Sequence, residues 1–193
     1  TREFGLSLRT CVKLGKSVRL LEALRLLESD PLFRAARVRT LIESHSDNDS
    51  LQSRAETRFS RLSSGHKIVL LTITRLVELV DERTLVLLDE PEAHLHPPLL
   101  AAFIRAISRL LIQRNGVAII ATHSPVLLQE VPKSCVWMLR RTGRVAQAQR
   151  PDLETFGENV GVLTREVFGL EVTRAGFHRM ISDEVNSGLS FEQ

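Results

Sequence analysis

The chain contains no tyrosine, and aromatic residues make up 5% of its 193 positions. Stacking of nucleic-acid bases needs aromatic faces, so a base-stacking platform is not expected and any nucleic-acid contact would be with phosphates. Cysteine is as scarce. Cys11 and Cys135 stand far apart and neither has a CxxC neighbour. Both are read as thiols in a reducing cytosol, with Cys135 inside an apolar strand. No apolar run approaches membrane-spanning length and the N-terminus lacks a signal-peptide pattern, so no membrane contact and a cytoplasmic setting are expected.

What is present suffices for a packed core. With 43% hydrophobic residues, the length fits one domain, or one plus an appendage. The chain opens on Thr1 with an element already under way, and it is expected to be a fragment of a longer protein. Its net charge of +3 says less than the distribution. Arg9, Lys13, Lys16, Arg19, Arg25, Arg34, Arg37 and Arg39 crowd the first forty residues, and Arg140, Arg141, Arg144 and Arg150 form a second knot. Such runs are usually solvated faces; a basic N-terminal face touching nucleic-acid backbone is the alternative.

Three regions separate along the chain: 1–60, a helical segment and polar connector; 61–150, an α/β lobe; and 151–193, a helical extension. Leu20, Leu21, Leu24 and Leu27 recur at helical spacing over Ser17 to Glu28. Asp30-Pro31 then reads as an N-cap with proline at the first helical position, opening a second helix to about Glu43. Ser44 to Ser60 is polar and reads as a loop without a packed core. A buried helix is expected over Ile68 to Val80. Thr84 to Leu88 is an apolar run suited to a strand buried on both faces. Pro97-Pro98 opens a helix that Asn115-Gly116 ends, and Val117 to Ala121 forms a second buried strand. Strand, helix, strand with short joins is a βαβ unit with parallel strands. Cys135 to Arg140 and Arg144 to Ala148, joined by Thr142-Gly143, read as a hairpin at the sheet edge. Helices are expected over Glu158 to Phe168 and Phe177 to Asn186.

Parallel sheets bind ligands beyond the carboxyl ends of their strands. Asp89 and Glu90 stand at that end of the first strand and His123 at that end of the second, so the three can converge. A carboxylate after an apolar strand is the Walker B arrangement. Asp89 would hold Mg²⁺, largely through water. Glu90 would orient and polarise the attacking water, and His123 would stabilise charge on the γ-phosphate. Leu62-Ser63-Ser64-Gly65-His66 adds two small hydroxyl residues and a glycine at a helix start, which present backbone N–H groups to an anion.

Leu62 to His66 resembles the signature of ABC-type ATPases, and Leu85 to Glu90 resembles their Walker B strand with its catalytic glutamate. Pro91 to Pro97 resembles the D-loop of the OLD and RecF-like branch, and Thr122-His123 resembles the switch histidine. Within that branch the chain is most similar to the ATPase subunits of Septu-type and retron-associated antiphage systems, a likeness extended by Thr155 to Asn159 and Val167 to Leu170. The specified match runs from about Arg61 to Pro132. It implies an α/β fold: a partial P-loop (ABC-type) ATPase head, its parallel sheet flanked by helices, with helical segments at both termini. It implies ATP and Mg²⁺ as cofactors and head-to-tail homo-oligomers, in which Ser63, Ser64 and Gly65 touch ATP held by another subunit. Glu90 and His123 would act on nucleotide bound by their own polypeptide. An HNH-type nuclease is the partner the resemblance implies. Ser64 stands where a glycine is usual and His66 where a glutamine is usual, which argues against a transporter subunit.

The loop that cradles the β- and γ-phosphates is missing. Leu14-Gly15-Lys16-Ser17 carries a Gly-Lys-Ser ending, but Thr10 occupies the position of the leading glycine and Arg9 to Lys13 is no glycine-rich turn, so it is read as a helix start. ATP hydrolysis is therefore expected only once a Walker A half completes the head. Two rivals remain: a non-catalytic dimerisation or nuclease-docking module, and a metal-dependent hydrolase using Asp89, Glu90, His94, His96 and His123.

Overall fold

Where the leucine periodicity places a helix, one forms, and the element order is then all-helical up to the first strand. In the computed structural model, which describes residues 1–44 and 48–169, α1 (Arg2–Lys13), α2 (Ser17–Leu27), α3 (Pro31–Ala35), α4 (Arg39–Glu43), α5 (Asn48–Ser60) and α6 (Ser64–Leu79) precede β1 (Leu85–Asp89). After it come α7 (Pro97–Ile112), β2 (Val117–Ala121) and α8 (Pro125–Leu128). A 3₁₀ turn (Lys133–Cys135), β3 (Met138–Thr142), β4 (Val145–Gln149) and α9 (Val160–Glu166) complete the described elements. The chain forms two compact units, Thr1–Leu127 and Leu128–Gln193.

In the first unit α1 packs on α5 and α6, and α2 packs on α7. Asp30 caps α3 as expected, its side chain accepting the Phe33 N–H at 2.9 Å, with Pro31 at the first position. The helix does not run on to Glu43, however. Arg37 takes a left-handed φ of 49°, which a helix cannot pass through, and α4 restarts two residues later. The polar stretch before Ser60 also departs from the expected loop. Its residues from Asn48 onward form α5, because Leu51, Ala55 and Phe59 fall four apart and all are buried. Three apolar positions on one face suffice to dock a helix whose other faces are charged. Phe59 stacks on Phe4, ring centroids 4.8 Å apart.

Gly15 turns the corner between α1 and α2 at φ +67°, so the Gly-Lys-Ser tripeptide joins two helices rather than a strand and a helix. The Lys16 ammonium donates to the Glu78 carbonyl at 2.6 Å, near the end of α6, and lies 3.4 Å from Asp81. A cation at a helix C-terminus meets its unpaired carbonyls, and here that is the use the lysine finds.

β1 and β2 pair in parallel from Leu85↔Val117 to Asp89↔Ala121, with α7 between them. One expectation fails: the strands are not covered on both faces. Leu85 (56%), Leu87 (69%), Val117 (60%) and Ile119 (60%) are exposed on one side of the pair, while Val86 is buried on the other.

In the second unit β3 and β4 form an antiparallel hairpin closed by Gly143 at φ +61°, the conformation a two-residue turn of this kind requires of its first residue. It is a separate two-stranded sheet, not the edge of β1–β2. Cys135 ends the 3₁₀ turn and is exposed, rather than lying within a strand. Leu128, Val136, Met138, Leu163 and Val167 form the apolar cluster of this unit. Arg150 of the second basic knot lies over the Trp137 ring at 3.8 Å. The expected helix over residues 177–186 lies outside the described residues.

Truncating Phe59 to Ala removes a buried aromatic face from the α1–α5 contact and should cost about 3–5 kcal/mol. Urea denaturation of the variant measures this; a loss below about 1 kcal/mol would mean that α5 is not part of the core.

Candidate functional site

The pairing of β1 with β2 fixes the position of every residue that follows them. Asp89 ends β1 opposite Ala121, and the Glu90 N–H extends the ladder by one bond to the Ala121 carbonyl at 2.9 Å. Glu90 and His123, both exposed, therefore emerge from the same end of the pair, and His123 Nδ1 lies 3.2 Å from Glu90 Oε1. Asp89 is exposed beside them and has no side-chain partner among the described residues.

The loop after β1 is held by a residue the sequence reading did not single out. Glu92 Oε1 accepts the Thr122 hydroxyl at 2.6 Å and the His123 backbone N–H at 2.9 Å, and lies 3.4 Å from His123 Nδ1. Thr122 Oγ1 in turn accepts the Ser124 N–H at 3.0 Å. One carboxylate thus orders the loop after β1 and the loop after β2 together. Burial disfavours the charged form of Glu92, but the Thr122 hydroxyl, its own and the His123 backbone N–H groups and the His123 charge outweigh it, so its carboxyl lies below the ordinary value. Its other oxygen, Oε2, is buried without a hydrogen-bond partner. Glu90 and His94 take left-handed φ values of 44° and 66°, a conformation costing a side chain about 1–2 kcal/mol. The signal for Glu92 was its place three residues past Asp89, in a loop already read as functional.

The Ser63-Ser64-Gly65 segment makes a different set of contacts. Ser63 is the N-cap of α6, its Oγ accepting the His66 N–H at 3.4 Å and lying 2.6 Å from His66 Nδ1. Ser64 is exposed at the first helical position and Gly65 is buried. A Cβ on Gly65 would sit 2.6 Å from the His94 carbonyl oxygen and 3.3 Å from Leu95, so glycine is what allows the start of α6 to rest on the loop after β1. The described contacts bring Glu90 and His123 together, and bring Gly65 against His94 and Leu95.

His96 does not join the carboxylates at the end of β1, as the metal-hydrolase reading required. Its Nε2 lies 3.2 Å from Asp30 Oδ2, and its Nδ1 accepts the Leu99 N–H at 3.1 Å as the cap of α7. His66 Nε2 approaches the other Asp30 oxygen at 3.0 Å. Burial disfavours a charged Asp30, but the Phe33 N–H, the His66 hydrogen bond and the charges of His66 and His96 prevail, and its carboxyl is held below the usual carboxylate value. Asp30 was legible as a cap; nothing local marked it as the acceptor for histidines 36 and 66 positions further on.

Much of the first basic run has internal partners. Arg39 pairs with Glu28 and Glu43, Arg34 donates to the Glu28 carbonyl, and Lys16 serves α6 as described.

A parallel pair with a crossover helix, acids at the carboxyl end of its first strand and a histidine at that of its second form part of a P-loop ATPase fold. A family model described as "AAA domain, putative AbiEii toxin, Type IV TA system" matches residues 18–129, and the chain belongs to that family. Protein ea59 of Escherichia phage lambda is 51% identical over 198 residues, covering 94% of this chain. The chain spans 38% of the length of that relative. Among the described residues, no helix is long and apolar enough to cross a membrane.

Two outcomes follow from this geometry. Gly65→Ala should destabilise the fold by about 1–3 kcal/mol through overpacking against the His94 carbonyl; an unchanged melting temperature would show that the loop yields freely. Asp30 has a depressed folded-state pKa, so its stabilisation is complete above its ordinary value of 3.8 and is lost as pH falls through the folded value. The stability gap between the wild type and Asp30→Asn should therefore narrow as pH falls below 3.8, measured by denaturation across an acid series. A gap that stays flat to pH 2 would contradict the linkage.

Proposed function

We propose that this chain is the distal half of an ATP-binding and hydrolysing head of the ABC type, in the OLD and RecF-like branch, serving a cytosolic antiphage or DNA-linked complex. The observation that carries the reading is the Glu90–His123 pair at 3.2 Å, built at the carboxyl ends of two paired parallel strands. The donor set beside it suits Mg²⁺, a hard cation that takes carboxylate oxygens: Asp89 is exposed and has no side-chain partner among the described residues. Bound magnesium would neutralise charge on the nucleotide phosphates, and Asp89 is the residue assigned to hold it.

Glu90 is assigned to accept the proton of the attacking water, with His123 holding the carboxylate in place and offering a donor to developing phosphate charge. Glu92 keeps both loops in register for this. Ser63, Ser64 and Gly65 are assigned to a phosphate held by another subunit in a head-to-tail oligomer, through the N–H groups at the start of α6. An incomplete head is supported by the apolar face of Leu85, Leu87, Val117 and Ile119 left exposed on β1–β2, which helices of a Walker A half would cover. An HNH-type nuclease as partner, and nucleic-acid backbone at the basic N-terminal face, belong to the same proposal.

The test compares ATP binding and turnover with Mg²⁺ for this chain and for the longest native polypeptide containing it. Turnover is expected in the longer form. There, Glu90→Gln should lower turnover by about 10²–10⁴-fold, the usual worth of a general base, and leave binding intact because Asp89 is untouched. Normal turnover in that variant would remove Glu90 from the catalytic assignment, and silence of both wild-type forms would overturn the ATPase reading.

A further inference from the structure

We propose that Asp30, His66 and His96 form a binding site for a transition-metal dication of the zinc class, distinct from the carboxylates at the end of β1. The three residues come from separate segments: the cap of α3, the first turn of α6 and the cap of α7. Their ligand atoms all lie within 4.8 Å of one another, the one such group among the described residues. The two Asp30 oxygens stand 3.0 Å from His66 Nε2 and 3.2 Å from His96 Nε2. Tetrahedral zinc with bonds of about 2.0–2.1 Å separates neighbouring ligands by roughly 3.3–3.4 Å, so each Asp30–histidine contact has to open slightly while the widest ligand separation, within 4.8 Å, closes on the ion.

Burial and access are divided among the ligands in a useful way. The side chains of Asp30 and His66 are 3% and 5% exposed, so packing holds them in place, while that of His96 is 47% exposed and leaves a path for the ion and for water at a fourth position. Two of the three ligands have outer partners of the kind that orient metal-binding groups. Asp30 Oδ1 also accepts the Phe33 N–H at 2.9 Å, and His66 Nδ1 is 2.6 Å from Ser63 Oγ, an acceptor for its proton once Nε2 binds the metal. Metal-bound His96 carries its remaining proton on Nδ1. The Leu99 N–H that now donates to this nitrogen also bonds the His96 carbonyl at 3.0 Å and keeps that partner.

Two imidazoles and one carboxylate suit zinc or cobalt, whereas magnesium prefers oxygen ligands alone. Without metal the same atoms close into hydrogen bonds on Asp30, and binding would give up the bond from the Leu99 N–H to His96 Nδ1. A bound ion would lock the Ser63 turn to the loop after β1 across the α3 cap. The site stands independently of the ATPase reading and is assigned no catalytic step.

The test is titration of the untagged, chelator-cleared chain with Zn²⁺ by calorimetry and with Co²⁺ by visible absorption. One saturating equivalent and the intense d–d bands of four-coordinate cobalt are expected. His96→Ala, a half-exposed change, should weaken binding by more than about a hundredfold, beyond the 10–100-fold typical of lost outer partners. His94→Ala, two residues away and exposed, should leave it unchanged, and circular dichroism establishes that both variants fold. Absence of saturable binding, or binding that survives His96→Ala, or equal loss in both variants, would overturn the proposal.

Discussion

A single buried carboxylate holds together three helix starts of the first unit that lie far apart in sequence. Asp30 accepts the Phe33 N–H, which starts α3, and its two oxygens divide between His66 at the start of α6 and His96 at the start of α7. Removing one partner from a buried, hydrogen-bonded charge typically costs about 3–5 kcal/mol, because the remaining charge is left unpaired. The three helix starts are therefore not independent caps. A shift in any one of them exposes or strands the same pair of oxygens, and the Ser63 turn and the loop after β1 inherit that coupling.

Glu92 does for the far side of the site what Asp30 does for the near side. Its Oε1 ties Thr122 and the His123 backbone to the loop that carries Glu90. The left-handed residues on either side of it, Glu90 and His94, are unfavourable conformations that persist only where surrounding bonds over-determine them. Here those bonds are the Ala121 ladder contact, the Glu92 carboxylate and the seat of His94 against Gly65. The exposed Glu90–His123 pair is worth little to stability, since screened surface ion pairs contribute about 0–1 kcal/mol. Its position is set by the backbone beneath it rather than by the pair itself.

The parts of this arrangement that are local in sequence were legible, and the parts that depend on distant partners were not. Leucine spacing gave α2, proline and glycine punctuation gave the limits of α7, and apolar runs gave β1 and β2 almost to the residue. The α5 helix was missed because three buried side chains, Leu51, Ala55 and Phe59, were outweighed by the polar residues between them, although a spacing of four is a helical signal. The break at Arg37 has no sequence marker at all; a bulky residue at positive φ runs against intrinsic preference. Strand pairing alone led to the expectation that Asp89, Glu90 and His123 converge, and Glu90 and His123 lie 3.2 Å apart. The route of His96 to Asp30 was not expected, because it turns on how α3 packs.

The open face of β1–β2 has its own physical logic. Leu85 pairs with Val117 and Leu87 with Ile119 in register, so the four exposed side chains form a continuous apolar patch rather than scattered residues. Scattered exposed leucines are ordinary, whereas a contiguous patch on a sheet is a surface built to be covered. A two-stranded sheet is also marginal by itself, and this one borrows its order from α7 and from the loops that Glu92 joins. The same apolar runs that suggested strands buried on both faces are thus consistent with a complete head in which this face is covered by further helices. On that reading the runs describe the assembled fold, in which the exposed patch is interior.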